Sequence, residues 1–132
     1  MYYELHLPFP PTVNNYYVKT KRGVYISMKG RKFRSLTSAE VIKQLPEVHF
    51  PATERLLVEV VLYPPDKRKR DLGNYDKALM DAITHSGLWE DDSQIDQQFF
   101  YRGVVHSPSG KTLVRILDAG PVLALDYSLP TR

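Results

Sequence analysis

The sequence predicts a single α+β domain with a mixed β-sheet and two main helices. Segments with the alternation of strands and segments with helical periodicity are interspersed along the chain, which is typical of this class. With 132 residues, 42% of them hydrophobic, the chain can bury one modest core. No internal repeat or linker divides it. Residues 1–132 are therefore expected to form one domain, with a core at about 2–118 and a C-terminal tail at 119–132.

The first third of the chain predicts two strands and a long helix. Residues 2–7 alternate as a strand does, and the prolines that follow predict an extended, rigid loop through residue 17. Residues 19–23 form a predicted basic turn before a short strand at 24–27. A helix is expected over 28–45, with lysines and arginines on its polar side and a proline just past its end.

The middle of the chain predicts a buried strand and a second helix. Residues 54–63 read as a mostly buried strand that stops at Pro64 and Pro65. Asn74 is a good N-cap for a helix that reaches about residue 86, and Gly87 suits the left-handed position after it.

The last part of the chain predicts two strands, at 95–105 and 111–117. The turn residues at 107–110, Ser-Pro-Ser-Gly, join them in the manner of a hairpin.

Composition excludes several function classes. There is no cysteine, so disulfides, thiolate metal sites and a cysteine nucleophile are excluded. The four histidines lack metal-ligand spacing, and the glycines form neither a phosphate-binding loop nor a dinucleotide fingerprint, so no nucleotide cofactor is expected. No apolar run is long enough for a membrane span, and the first residues do not resemble a signal peptide. A cytoplasmic protein is expected.

Charge is distributed unevenly along the chain. Residues 1–70 carry thirteen Lys and Arg against six Asp and Glu, whereas residues 71–132 carry five against nine. This pattern predicts that the basic half binds an anion and the acidic half binds cations, although an ordinary solvated surface also explains charge counts of this size.

The most informative segment sets four consecutive cations directly against an acid. Lys67, Arg68, Lys69 and Arg70 can neutralise phosphates, and Asp71 follows them at once. Carboxylates such as Asp71 and Asp92 are hard oxygen donors suited to Mg²⁺ or Mn²⁺. The pattern predicts metal-dependent chemistry on a phosphate backbone, provided that the chain folds back after Trp89 to bring the two acids together.

Ordinary structural roles compete with the functional ones. Lys77 lies on the available face of the second helix, where it can stabilise charge on a phosphate or simply form an i,i+4 ion pair with Asp81. Asp91 and Asp92 also suit an acidic turn, and Trp89 is more often a core residue than a platform for a base.

Three segments resemble the RusA-type Holliday junction resolvases, endonucleases of phages and prophages that cut four-way DNA junctions symmetrically. They are the opening strand with Pro8 to Tyr17, the run Arg70 to Lys77 with Asp81 in its helix, and the segment Gly87 to Ile95 with Asp91 and Asp92. The resemblance covers roughly residues 2–118.

This resemblance implies a RusA-like fold, an intertwined homodimer, and phosphodiester hydrolysis that depends on Mg²⁺, with Mn²⁺ as a substitute. Two-fold symmetry suits a substrate that needs two matched cuts. The family's catalytic residues fall on Asp71, Asp92 and Lys77, and Asn74 also matches its pattern.

One position departs from the family pattern. The family usually has a second aspartate two positions after the first, and this chain has Gly73 there. Asp76 lies about 100° from Lys77 on the helical wheel, towards the core face, and is not assigned the missing role. Asp91 is the preferred substitute, with water completing a Mg²⁺ shell.

The sequence therefore predicts a phage or prophage Holliday junction resolvase that acts on branched DNA in the bacterial cytoplasm. Asp71, Asp92 and Asp91 are the expected metal ligands. The expected DNA contacts are Lys67, Arg68, Lys69, Arg70, Asn74, Asn14, Asn15, Tyr16, Tyr17, Lys19, Lys21 and Arg22. The alternatives are a branched-DNA binder of the same fold with weak or no catalysis, and a single-strand binder that stacks bases on tyrosines.

Overall fold

The computed structural model describes residues 1–121, and most of the predicted tail, 122–132, lies outside the described residues. The helices are α1 (Val13–Tyr16), α2 (Met28–Gln44) and α3 (Asp76–Ser86), and the strands are β1 (Tyr2–Leu7), β2 (Tyr17–Thr20), β3 (Gly23–Ile26), β4 (Leu56–Tyr63), β5 (Ile95–Arg102) and β6 (Lys111–Asp118). Short 3₁₀ turns cover Leu72–Asn74 and Asp92–Gln94. The predicted α+β class, mixed sheet and two main helices are confirmed.

The main sheet has four strands in the order β1, β6, β4, β5. β6 is antiparallel to both β1 and β4, whereas β5 runs parallel to β4 at the edge. β2 and β3 form a separate antiparallel hairpin.

The predicted hairpin between the last two strands is wrong, because β4 lies between β5 and β6. The connecting residues pass around the end of β4, where the Gly103 N–H donates to the Leu62 carbonyl at 2.8 Å and the His106 N–H donates to the Pro64 carbonyl at 2.8 Å. The turn at 107–109 is present, but it belongs to this crossing, and β5 ends at Arg102 rather than at residue 105.

One face of the sheet packs on the two main helices. Alternate residues of β4 are almost completely buried because a strand points every second side chain to the same face. α3 contributes the matching apolar stripe of residues 78, 79, 80, 82 and 83. Each such fully buried aliphatic side chain stabilises the fold by about 1.5–3 kcal/mol. Trp89 is fully buried, as the core role expected for it requires, and its indole N–H donates to Thr84 Oγ1 at 2.7 Å.

α2 begins at Met28, where the hydroxyl of Ser27 accepts the Gly30 N–H at 2.9 Å. A Cβ on Gly30 would lie 2.5 Å from the backbone oxygen of Tyr16, so only glycine permits this approach of α2 to the end of α1. The segment predicted as a loop up to residue 17 thus contains a one-turn helix, and Lys19 belongs to β2 rather than to the turn.

Among residues 1–121, no helix is both long and apolar enough to cross a lipid bilayer.

Candidate active site

α3 begins one residue after a 3₁₀ turn, and not at Asn74 as the sequence predicted. Asn74 closes that turn, and Tyr75 occupies the cap position without a side-chain hydrogen bond. Asp76 is therefore the first residue of α3, where the helix dipole favours a carboxylate. The helix ends as expected at Gly87, whose φ of 84° is left-handed.

The first two turns of α3 form one wall of a polar cavity of about 350 Å³. We call it the acidic cavity. It is lined by Tyr17, Asp76, Lys77, Met80, Asp81, Asp92 and Gln98. It therefore unites Lys77 and Asp92, two of the three residues that the resemblance marks as catalytic, from elements that are distant in sequence.

Asp92 lies in a short loop that is held from inside by Gln94. Gln94 is buried, and its side-chain oxygen accepts the Glu90 and Asp91 N–H groups at 3.0 and 3.1 Å. Its amide nitrogen donates to the carbonyl oxygens of Phe50, Pro51 and Glu54. The loop that carries Asp92 is thus fixed to the segment before β4.

Asp76 was not assigned a role from the sequence, yet its side chain reaches the acidic cavity. The amide nitrogen of Gln98, on β5, donates to Asp76 Oδ1 at 2.9 Å. Burial raises the pKa of the Asp76 carboxyl, the Gln98 hydrogen bond partly offsets this rise, and the nearby Asp92 charge adds to it. The helical wheel places Asp76 at the edge of the core face. It cannot show that Gln98 on β5 lies beside the Asp76 carboxylate.

Asp81 has a partner other than the one that the helical spacing offers. Its Oδ2 accepts hydrogen bonds from Arg34 Nη2 at 2.8 Å and from the Tyr16 hydroxyl. Burial and the hydrogen bond to Asp81 raise the pKa of Tyr16. Asp81 therefore ties α3 to α2 and α1, and its charge is neutralised within the protein.

Lys77 is consequently directed to the cavity and not to an ion pair with Asp81. Its ammonium nitrogen lies 5.5 Å from the centroid of the Tyr17 ring, and Tyr17 itself packs edge-on against Tyr16. The aromatic ring stabilises the cation without neutralising it. The positive charge remains available to an anion in the cavity.

Asp71 is exposed and is not among the residues that line the acidic cavity. It lines a second cavity, of about 410 Å³, together with Thr12, Lys69, Arg70, Asn74 and Tyr75. The structure thus brings Asp92 and Lys77 together and places Asp71 with Asn74 in the second cavity. The chain does fold back after Trp89, and this sets Asp92 close enough to Asp76 for its charge to raise the pKa of the Asp76 carboxyl.

Asp91, the preferred substitute for the missing aspartate, is exposed and is not among the residues that line the acidic cavity. Its carboxylate accepts a hydrogen bond from the Ser93 hydroxyl, which lowers the pKa of Asp91.

Carboxylate and amide oxygens are the donors that Mg²⁺ takes, and the acidic cavity offers them from Asp92, Asp76 and Gln98. Within residues 1–121, no group of three or more Asp, Glu or His side chains is already gathered around one point. Mg²⁺ usually keeps several waters and binds one or two carboxylates together with substrate phosphate, so the donor set fits this ion.

The four consecutive cations at residues 67–70 differ in their exposure to a DNA backbone. Lys67, Arg68 and Lys69 are exposed, whereas Arg70 is half-buried. Arg70 Nη1 pairs with Asp66 Oδ1 at 2.7 Å, and its guanidinium lies over the Phe9 ring. The first three residues can reach a DNA backbone, and Arg70 mainly shapes the loop that presents them.

The other predicted DNA contacts fall into two groups. Tyr16 is fully buried, so its ring cannot stack on a base, and Tyr17 is half-buried in the acidic cavity. The remaining predicted contacts are exposed: Asn14, Asn15, Lys19, Lys21, Arg22 and Asn74. Tyr25 is also exposed, on β3.

An acidic cavity with an uncompensated lysine, close in sequence to an exposed run of cations, is the arrangement of an enzyme that acts on a nucleic-acid backbone. The model of the family described as Endodeoxyribonuclease RusA matches residues 8–116. The chain belongs to the RusA endodeoxyribonuclease family.

Individual relatives agree with this assignment. The chain is 37% identical over 116 residues to the crossover junction endodeoxyribonuclease rusA of Enterobacteria phage HK97, an alignment that covers 88% of this chain and 94% of that protein. It is 32% identical over 93 residues to the crossover junction endodeoxyribonuclease RusA of Shigella sonnei (strain Ss046) and, equally, to that of Enterobacteria phage 82, with 70% of this chain and 76% of each relative covered.

Proposed function

We propose that this chain is a Holliday junction resolvase, an endodeoxyribonuclease that cuts four-way DNA junctions by paired phosphodiester hydrolysis. The observation that carries the proposal is the meeting of Asp92 and Lys77 in one polar cavity, since an acid and a free cation are both needed beside a scissile phosphate. The names of the relatives from phages HK97 and 82 support the substrate class.

The roles follow from the chemistry of the side chains. Asp92 and Asp71 are the proposed Mg²⁺ ligands, helped by Asp91, and Mn²⁺ is expected to substitute. A divalent ion held by these residues would lower the pKa of a water that could then act as the nucleophile. Lys77 holds the scissile phosphate and stabilises the negative charge that develops on it.

DNA binding is assigned to the exposed cations and amides on the same chain. Lys67, Arg68 and Lys69 neutralise backbone phosphates, and the β2–β3 hairpin adds Lys19, Lys21 and Arg22. Such contacts position the DNA without reading its sequence. A homodimer would present two acidic cavities to one junction and so permit the two symmetric cuts. We expect this activity in the bacterial cytoplasm, where phage DNA recombines.

A second candidate function is junction binding with little or no cleavage. Gly73 in place of the family's aspartate favours it. In this candidate function the exposed cations still bind the junction, but the phosphodiester is not hydrolysed.

The deciding experiment compares a labelled synthetic four-way junction with a matched linear duplex in Mg²⁺, Mn²⁺ or EDTA. Paired symmetric nicks in the junction alone, abolished by EDTA, would support the resolvase. A tight junction complex without product in either metal would support the binder. Full cleavage by Asp71→Asn would contradict the role proposed for Asp71. Lys77→Met is expected to lose cleavage while it retains junction affinity.

A further inference from the structure

Half of the aspartates within residues 1–121 form an ion pair. Asp66, Asp81 and Asp96 pair with arginines, and Asp118 pairs with the N-terminal amine. Asp91 forms no ion pair and accepts the Ser93 hydroxyl. The three others without an ion pair in these residues are Asp71, Asp76 and Asp92. Two of these three are the aspartates of the family pattern. The third, Asp76, is not part of that pattern.

Asp76 is the least expected of the three, because it is half-buried. A carboxylate that is withdrawn from water without a cation costs free energy, and proteins retain such groups mainly where they have a use. The Gln98 amide occupies only Oδ1 of Asp76. Oδ2 therefore remains available to a ligand on the cavity side, where Asp92 and Lys77 also lie.

Gly73 provides the second, independent observation. A Cβ built at this position has no heavy atom within 4 Å, and Gly73 has no positive φ. Neither crowding nor backbone conformation therefore requires glycine. The carboxylate that the family pattern has at this position is absent from this chain although the structure has room for it.

We propose that Asp76, one turn further along the chain, supplies the carboxylate that Gly73 does not, and binds the catalytic divalent cation together with Asp92. This inference rests on the proposed function and identifies a ligand of the same site. Gln98 acts as a positioning residue because its hydrogen bond fixes the rotation of the Asp76 carboxylate and leaves one oxygen directed to the ion.

The test is Mn²⁺ binding, measured without DNA by the rise in melting temperature across a Mn²⁺ titration. Asp76→Asn is nearly isosteric and keeps a side chain that can accept from Gln98. We expect it to weaken Mn²⁺ binding by about tenfold or more, the loss typical of altered ligand shells. Asp118→Asn, at an exposed carboxylate that is not among the residues lining the acidic cavity, is the charge control and is expected to bind Mn²⁺ as the unmodified chain does.

The rescue variant separates a ligand from a merely structural residue. In an Asp76→Asn background, Gly73→Asp is expected to restore Mn²⁺ affinity and Mn²⁺-dependent cleavage, because it returns a carboxylate to the same end of α3. Melting in EDTA checks folding, and Asp76→Asn should be at least as stable as the unmodified chain there because a half-buried charge is removed.

Mn²⁺ binding by Asp76→Asn equal to that of the unmodified chain would overturn the inference, whether or not Asp91→Asn binds less Mn²⁺. This result does not depend on cleavage. If the unmodified chain does not cut junctions, the proposed function fails while the metal titration still decides the role of Asp76. If junctions are cut and Asp76→Asn binds Mn²⁺ normally, only this inference fails.

Discussion

The ammonium of Lys77 lies 5.5 Å from the centroid of the Tyr17 ring, so among residues 1–121 the one aromatic side chain that lines the acidic cavity supports the one lysine that does. An exposed cation–π contact is worth about 0.5–1 kcal/mol. Tyr17→Leu is therefore expected to slow single-turnover junction cleavage by roughly two- to fivefold. Tyr17→Phe keeps the ring and should stay within about twofold of the unmodified rate. Equal losses in both variants would show that the hydroxyl, and not the ring, is what matters.

The Asp81–Arg34 pair predicts a loss of stability without a loss of metal binding. Both side chains are partly buried, with 33% and 24% exposure, and Tyr16 shares the same carboxylate oxygen. Asp81→Asn should lower the free energy of unfolding by about 1–2 kcal/mol, because a partly buried guanidinium loses its partner. Urea unfolding measures this change.

A double-mutant cycle with Arg34→Gln supplies the control for that pair. If the two residues interact directly, the double variant loses less stability than the sum of the single losses, by at least about 0.5 kcal/mol. Additive losses would contradict a direct interaction, and Mn²⁺ binding lost in Asp81→Asn would assign Asp81 to the metal instead.

Among the polar side chains of residues 1–121, Gln94 is expected to be the one whose removal lowers the free energy of unfolding most. Its five hydrogen bonds serve two backbone N–H groups in the loop that carries Asp92 and three backbone carbonyls in residues 50–54. Gln94→Ala should lower the free energy of unfolding by about 2–4 kcal/mol, since buried backbone groups lose their partners. Gln97→Ala, on the same segment but half-exposed, should cost less than about 1 kcal/mol. Similar losses in both variants would contradict a special role for Gln94.

The Asp66–Arg70 pair predicts an acid-sensitive loop. The hydrogen bond from Arg70, assisted by the Arg68 N–H, lowers the pKa of Asp66 to about 2. The unfolded chain has an ordinary aspartate pKa of about 3.9, so the pair stabilises the fold fully above about pH 4 and loses that effect as the pH falls towards 2. Melting temperatures of Asp66→Asn should therefore depend less on pH over this range. An unchanged pH profile would contradict the prediction.

The exposed cations predict a particular salt dependence of DNA binding. If Lys67 and Lys69 each contact a phosphate, replacing both with Gln should reduce the slope of log affinity against log salt by about 1.8. Lys43→Gln, in the last turn of α2, is the control and should leave the slope unchanged. Junction affinities measured across a salt series test this. A slope unaffected by the double replacement would show that Lys67 and Lys69 do not contact phosphates.

Much of the fold was predictable because its signals are local. The β1 boundaries, the extent of α2 and the left-handed end of α3 at Gly87 follow from alternation, a following proline and one glycine. The neighbour of β5 was not predictable in this way. A turn-forming sequence at 107–110 predicts that the chain reverses, but not that β4 already occupies the position beside β6.

The residues of the site likewise include some that the sequence predicts and others that depend on distant pairing. Asp92 and Lys77 could be selected from the sequence through the family resemblance, and they do share a cavity. Asp76 and Gln98 could not, because their proximity depends on the parallel pairing of β4 with β5. In the sequence, Arg34 is only one of several cations on the polar side of α2. Helical spacing pairs Lys77 with Asp81 and gives no sign of a partner on another helix.

Gln94 connects the loop that carries Asp92 to carbonyls of a segment 40 to 44 residues earlier in the chain. Those groups meet only when distant parts of the chain have joined, and contacts of this kind form slowly because a long loop must first be closed. A partly folded copy would lack these hydrogen bonds around Asp92. We therefore expect cutting competence to arise only with the finished domain.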